Sequence, residues 1–311
     1  MKKLLFILLM APFILFSCKK EHGLSLKPSA AKKYAVTIRV ANFTLKHTNY
    51  ALRTKAIHLA SSSDTLTNLA SYVDQLYYVV LDSNFNVVKT IVQDSTMANM
   101  GVITDSLSAG HYQIAMVAGK KGLEVVTNPS LGNFYDYAGK AWQDTFWGTF
   151  AIIVGDHDIS LTPTLNRVVG KLEVTILDNI PANADSLFIS VDGDATQTFL
   201  LDSSFFTSQT TTFPIAIPAS AKGQPNFTVD RLIGGIDFGF NVTITCKDAG
   251  GNVIKSAMAS SIVINPNEKT ILSGDLFTGS GSSGSPQSFT AKADTAWNST
   301  PNQVSFSLRR H

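Results

Sequence analysis

Period-two alternation dominates this chain. Tyr34, Val36, Ile38 and Val40 alternate with Ala35, Thr37, Arg39 and Ala41, the signature of a strand with one buried face. Leu76-Tyr77-Tyr78-Val79-Val80-Leu81 is continuously apolar and rich in aromatic and β-branched residues. The polar cluster Asp82-Ser83-Asn84-Phe85-Asn86 and the run Val87 to Val92 follow it, which predicts a hairpin. Further strands are predicted over 101–107, 111–118, 145–154, 159–165 and 168–177. Others are expected over 186–191, 196–201, 213–217, 238–246, 253–256, 261–264 and 270–277. Asp248-Ala249-Gly250-Gly251-Asn252 supplies another hairpin turn. The one helical piece expected is short, around Thr65 to Val73. Many short strands separated by turn residues predict an all-β fold of β-sandwiches, not a βαβ sheet.

The boundary between two tandem sandwiches is expected near Pro163-Thr164-Leu165-Asn166, giving an N-terminal sandwich over 34–164 and a C-terminal one over 165–278. A Gly/Ser-rich linker then opens a tail over 279–311. Within the tail Phe289, Ala291, Ala293 and Trp297, then Val304, Phe306 and Leu308, alternate as a strand seeking a sheet partner would.

The first residues have a different character. Met1-Lys2-Lys3 is a basic start and Leu4 to Phe16 is almost continuously apolar, too short for a permanent membrane span. Residues 1–17 therefore read as a secretory signal peptide. Leu15-Phe16-Ser17-Cys18 resembles a bacterial lipobox, in which the Cys18 thiol receives the lipid and becomes the mature N-terminus. Acyl chains contribute about 0.8 kcal/mol per buried CH₂, so two or three of them anchor a protein stably. A tether over 18–33 follows, with a lipid-anchored location at the outer membrane as the expectation.

Charge sharpens this picture. The 311 residues carry a formal net charge of +2. The nine Lys and Arg between Lys19 and Lys55 face a single acid, Glu21, so the folded remainder is acidic. A basic tether beside an acidic body argues against nucleic-acid binding, which needs a basic folded face. With 44% hydrophobic and only 15% charged residues the chain is not disordered, and two Cys make no disulfide scaffold.

Catalytic patterns are missing from the sequence. His22, His47, His58, His111, His157 and His311 are scattered singly, and no nucleophile elbow, P-loop or dinucleotide fingerprint occurs. Asp156-His157-Asp158 reads as a polar turn and Asp192-Gly193-Asp194 as a hairpin turn; neither spacing converges ligands on a metal. Cys246 alternates with Val242 and Ile244 and is expected to be a buried core thiol. Phe134, Tyr135, Tyr137, Trp142, Phe146 and Trp147 form an aromatic stretch with two readings, core packing or a sugar-stacking platform. No enzyme, cofactor or metal site is expected.

Several segments together resemble fimbrillin-type subunits of Bacteroidota (type V) pili. These are the lipobox Cys18, the strand Tyr34 to Leu45 followed by a loop with Arg53, Leu76 to Asp82, and Leu107 to Gln113. Leu165-Asn166-Arg167-Val168-Val169-Gly170-Lys171-Leu172-Glu173-Val174 with Asp178-Asn179-Ile180-Pro181 is similar to that family's second-domain opening, and Asn267 to Phe277 to its closing strand. The resemblance is best to the fimbrillin-associated anchor or minor-subunit branch. It implies transthyretin-like sandwiches and assembly with other fimbrial subunits by strand exchange. It also implies two fates: an anchor that keeps its lipid, or a stalk or tip subunit cut by an Arg-directed protease, here after Arg53. An alternative from another class is a surface glycan-binding lipoprotein of a nutrient-uptake system, using the aromatic stretch from Phe134 to Trp147.

Overall fold

The computed structural model of the chain describes residues 32–40, 42–44, 69–128, 132–137, 141–202, 204–234, 236–278 and 289–294. The strands begin with β1 (Lys33–Arg39), β2 (Asn42–Thr44), β3 (Gln75–Leu81), β4 (Val87–Asp94), β5 (Val102–Ser108) and β6 (Gly110–Gly119). They continue with β7 (Glu124–Asn128), β8 (Gly132–Asp136), β9 (Thr145–Val154), β10 (Ile159–Leu161), β11 (Thr164–Arg167) and β12 (Val169–Ile176). Then come β13 (Ala184–Phe199), β14 (Phe205–Ala216), β15 (Phe227–Gly234), β16 (Ile236–Asp248), β17 (Val253–Ile264), β18 (Lys269–Gly274) and β19 (Thr290–Asp294). Of the expected helix, the described part is one 3-10 turn at Leu69–Ser71. The architecture is all-β.

Four sheets face one another in two pairs. In the first pair a three-stranded sheet, β10-β1-β5, lies over a six-stranded one, β2-β11-β9-β6-β3-β4. Val36 and Ile38 of β1 and Ile103 of β5 meet Leu76, Tyr78, Ile114, Met116 and Phe146 in the core between them. In the second pair β15-β12-β18-β19 covers β17-β16-β13-β8-β7, with β14 along the other side of β13. Leu172, Val174 and Leu272 pack there against Leu187, Ile189, Val242 and Ile244.

A third core lies on the opposite face of the six-stranded sheet. Val79 and Leu81 of β3 and Ala115 and Val117 of β6 meet Leu123, Tyr135, Tyr137, Trp142, Val169 and Leu200. This explains the unbroken apolar run from Leu76 to Leu81. Even and odd positions of β3 point into different cores, so neither set is polar; a strand covered on both faces loses its alternation.

Two elements tie the sheet pairs together. The β7–β8 hairpin leaves the first pair and adds to β13 through Gln197↔Asp136, Thr198↔Tyr135 and Phe199↔Phe134. Residues 164–167 stay in the six-stranded sheet as β11, paired with β9 and β2, and the chain enters the second pair only at β12. Between them Arg167 is fully buried. Its guanidinium donates to both carboxylate oxygens of Asp144 at 2.7 and 2.8 Å and to Asn267 Oδ1 at 3.1 Å.

The segments expected as separate strands at 186–191 and 196–201 form one strand, β13. Asp192-Gly193-Asp194 is a bulge in it and not a hairpin turn. Gly193, at φ +78°, takes the left-handed conformation that a side chain resists, and the register to β14 shifts there. The bend lets β13 leave β16 and meet β8 on the same side. Likewise 253–256 and 261–264 are joined in β17, with an irregularity near Ser261 at φ +57°.

Candidate functional site: the tether strand, the tail strand and the seam

The first strand after the tether sits in the interior of its sheet. β1 pairs with β5 antiparallel at seven positions and with β10 in parallel at three, and Val36 and Ile38 are fully buried. Alternation explains its fit: the odd-numbered partners Ala35, Thr37 and Arg39 face away from the core formed by Val36, Ile38 and Val40. Asp158, from the turn between β9 and β10, accepts a hydrogen bond from Ala35 N at 2.8 Å and so ties that turn to β1. Burying Val and Ile side chains contributes about 1.5–3 kcal/mol each, so this strand does not leave its seat unless another replaces it.

The tail strand lies at the opposite extreme. β19 runs antiparallel to β18, from Ser273↔Thr290 to Lys269↔Asp294, at the outer edge of its sheet. Phe289 reaches the second core beside Gly274, where a Cβ would stand 2.9 Å from the Phe289 ring and 3.1 Å from its Cα. Glycine is required there by that close approach. The root of the tail is clamped by buried Asp178. Its carboxylate accepts from the backbone N–H groups of Leu276 at 3.0 Å, Phe277 at 2.5 Å and Thr278 at 2.7 Å, and from the Thr278 hydroxyl. A carboxylate bonded to several backbone N–H groups is a strong, charge-assisted clamp.

The aromatic stretch lines the seam and offers no open platform. Trp142 is buried, donates its indole N–H to Ala195 O, and stands edge-on to Tyr137 and Tyr135. Trp147 donates to Leu200 O at 2.7 Å, and Thr149 Oγ1 to Leu201 O at 3.3 Å. Both indoles thus fasten the first sheet pair to the backbone of β13 and the residues just after it. Desolvation raises the Tyr137 phenol well above its ordinary value, as its bonds to Thr145 and Lys120 N cannot offset burial.

The remaining sequence candidates are dispersed. Cys18 and Arg53 lie outside the described residues, as do His22, His47, His58 and His311. His157 is exposed, with Nδ1 3.0 Å from Asp156 Oδ1. Cys246 is buried, and desolvation pushes its thiol up to about 11, the state of an inert core thiol. Among the described residues no group of three or more His, Cys, Asp or Glu is placed to hold a metal ion. No helix among them is long and apolar enough to cross a membrane. The Asp178 clamp escaped the sequence reading, because its partners are backbone groups about a hundred positions away.

Comparisons with known proteins place this geometry. No protein-family model and no curated protein matches the chain. Solved structures do. A Bacteroides thetaiotaomicron protein described as one of the "putative polysaccharide binding proteins (DUF1812)" aligns with a TM-score of 0.52 at 12% identity, over 78% of this chain and 92% of its own. A "putative adhesin" of the same species aligns with a TM-score of 0.50 at 12% identity, over 87% and 98%. The chain shares their fold. The fimbrial anchor protein Mfa2 of Porphyromonas gingivalis is also similar, with a TM-score of 0.49 and 11% identity over 78% and 91%.

Proposed function

We propose that this chain is a lipid-anchored subunit of a surface fimbria, an anchor or minor subunit that assembles with other subunits by β-strand complementation. The observation that carries the reading is the course of the chain from the lipobox. Cys18 is followed by a basic tether that leads directly into β1, the strand held on both sides within its sheet. Tension on a lipid at Cys18 is thereby carried by two ladders of backbone hydrogen bonds loaded along the strand. An anchor needs that arrangement, and an edge strand would peel. The shared fold with adhesin-type proteins supports the same reading, as does the basic tether facing anionic headgroups.

The alternative fate has a definite structural consequence. Arg53 follows β1 and β2 in the chain, so a cut after it would leave both strands without a covalent link to the body. Their loss would open the ladder between β5 and β10 and the side of β11, two rows of unpaired N–H and C=O groups that require a donated ribbon. Mass spectrometry of the native protein decides between the fates. An acylated N-terminus at Cys18 is expected; a mature chain beginning at Thr54 refutes the anchor role and makes this a stalk or tip subunit. The part played by the tail is read separately: deleting Gly279 to His311 without effect on polymerisation removes β19 from the assembly mechanism.

A further inference from the structure

Two hairpin turns in this molecule share a hydrogen-bond pattern between a first Asp and a fifth Asn, and differ in the residue at their left-handed position. In the turn from Asp82 to Asn86, Asp82 N donates to Asn86 O at 2.9 Å, residue 85 N to Asp82 O at 3.0 Å, and Asn86 N to Asp82 Oδ1 at 2.9 Å. From Asp248 to Asn252 the same three bonds measure 3.0, 2.9 and 2.8 Å. The fourth residue is left-handed in both, at φ +62° and +83°. One turn places Gly251 there, as the conformation demands; the other places Phe85. A bulky residue in the left-handed region is a strained exception, and strain of this kind gathers at functional positions. The Phe85 ring gains little from burial to offset it, being 59% exposed.

That ring forms one wall of a groove on the seam between the sheet pairs, with Phe199 and Leu201 as the other apolar members. Gly132, Asn133, Asp202 and Ser204 complete it. Gly132, at φ +91°, would put a Cβ 3.4 Å from the half-buried Phe199 ring. Asp202 Oδ1 accepts from Ser204 N and Oγ at 2.8 and 2.7 Å. Its Oδ2 and the Asn133 side-chain amide make no hydrogen bond among the described residues.

The chemistry selects the occupant. Seven residues around about 320 Å³ are far fewer than the 20–30 residues a side of a stable protein interface. A purely apolar small molecule needs enclosure that a shallow groove lacks. A pyranose ring presents a face of C–H bonds to an aromatic plane and a rim of hydroxyls to amide and carboxylate groups, which is what this groove offers. We propose that the groove is a saccharide subsite, taking one sugar ring of a neutral glycan against Phe85, with Asn133 and Asp202 on its hydroxyls. The site lies apart from β1 and β19 and stands whether or not the chain keeps its lipid.

Saturation-transfer NMR on the whole mature chain tests it, with maltotriose, lactose and N,N′-diacetylchitobiose as probes. Saturation is expected at the ring C–H protons of at least one probe. Phe85→Gly, which puts at the left-handed position the residue that Gly251 supplies in the other turn, is expected to weaken binding about tenfold without lowering the melting temperature. Asn133→Ala is expected to weaken it as well, and its folding is checked by the same melting measurement. Saturation of none of the probes, or transfer unchanged in both variants, overturns the proposal. Self-association abolished by Phe85→Gly without saccharide binding also overturns it, and assigns the groove to a second copy of the chain.

Discussion

Asp194 has the most consequential single environment in the second sheet pair. It is buried at the β13 bulge, accepts from Thr211 Oγ1 at 2.6 Å and Gly234 N at 3.3 Å, and faces Arg231 of β15. Desolvation outweighs these partners and pushes its carboxyl up to about 6. The same burial lowers the Arg231 guanidinium, which lies 3.8 Å over the Phe213 ring. Because the folded value exceeds the unfolded one of about 3.9, the native state holds the extra proton between about pH 4 and 6. Stability from this group is therefore complete below pH 4 and is lost as pH rises through 6, on the order of 3 kcal/mol in all. Asp194→Asn is expected to flatten that segment of the stability curve; denaturant titrations at pH 4, 5, 6 and 7 check it. Arg167 is a paired charge, its guanidinium donating to both carboxylate oxygens of Asp144. Arg167→Met leaves Asp144 buried without a counter-ion and is expected to cost about 3–5 kcal/mol in chemical denaturation, whereas adding Asp144→Asn recovers much of it.

Strands that the alternation revealed and strands that it hid differ in surroundings. β1, β5, β9 and β12 read clearly because each has one face on a core, and β3 and β6 read as continuous apolar runs between two cores. β15, with Thr228, Asp230 and Arg231 inside it, gave no apolar run; as an edge strand it is only half covered. The β7–β8 hairpin was masked because the aromatic stretch begins inside β8, at Phe134 and Tyr135, and its partner β13 lies about sixty positions on. At this scale β19 is held by five register pairs on one side only and by the seat of Phe289. Gly274→Val, which drives a side chain into that seat, is expected to raise hydrogen exchange at the amides of 290–294 selectively. Protection in β12 should stay unchanged; equal loss in both would mean that β19 is integral to its sheet.

The whole molecule is governed by the third core. Without it the sheet pairs would be joined by the β8–β13 ladder and the Arg167 pairing alone; with it, Trp142, Trp147, Tyr135 and Leu200 bury the back of β3 and β6 against the end of β13. Wild-type chain is therefore expected to melt in a single calorimetric transition. Trp142→Ala removes a buried aromatic side chain worth about 3–5 kcal/mol and should split the melt into two. A single transition in that variant would show that the Arg167 pairing and the β8–β13 ladder alone suffice to couple the pairs. On the function proposed above, such a seam would pass load from β1 to the second sheet pair.

The class of structure follows from the alternation alone. Period two with frequent turn residues admits little other than sandwiches, and the position of Cys18 after an apolar run carries the expectation of a lipid without any reference to the fold. Local chemistry also marked the Asp82 and Asp248 turns, since each satisfies its own bonds within five residues. Which aromatic rings became core and which stayed open depended on the packing of distant segments. For Trp142 and Trp147 the residue pattern allowed core packing or an open platform, and distant backbone carbonyls claim their N–H groups. Phe85 looks like one more turn residue until its left-handed backbone and its open ring are seen together. Burial is a property of the opposing surface, and that surface comes from elsewhere in the chain.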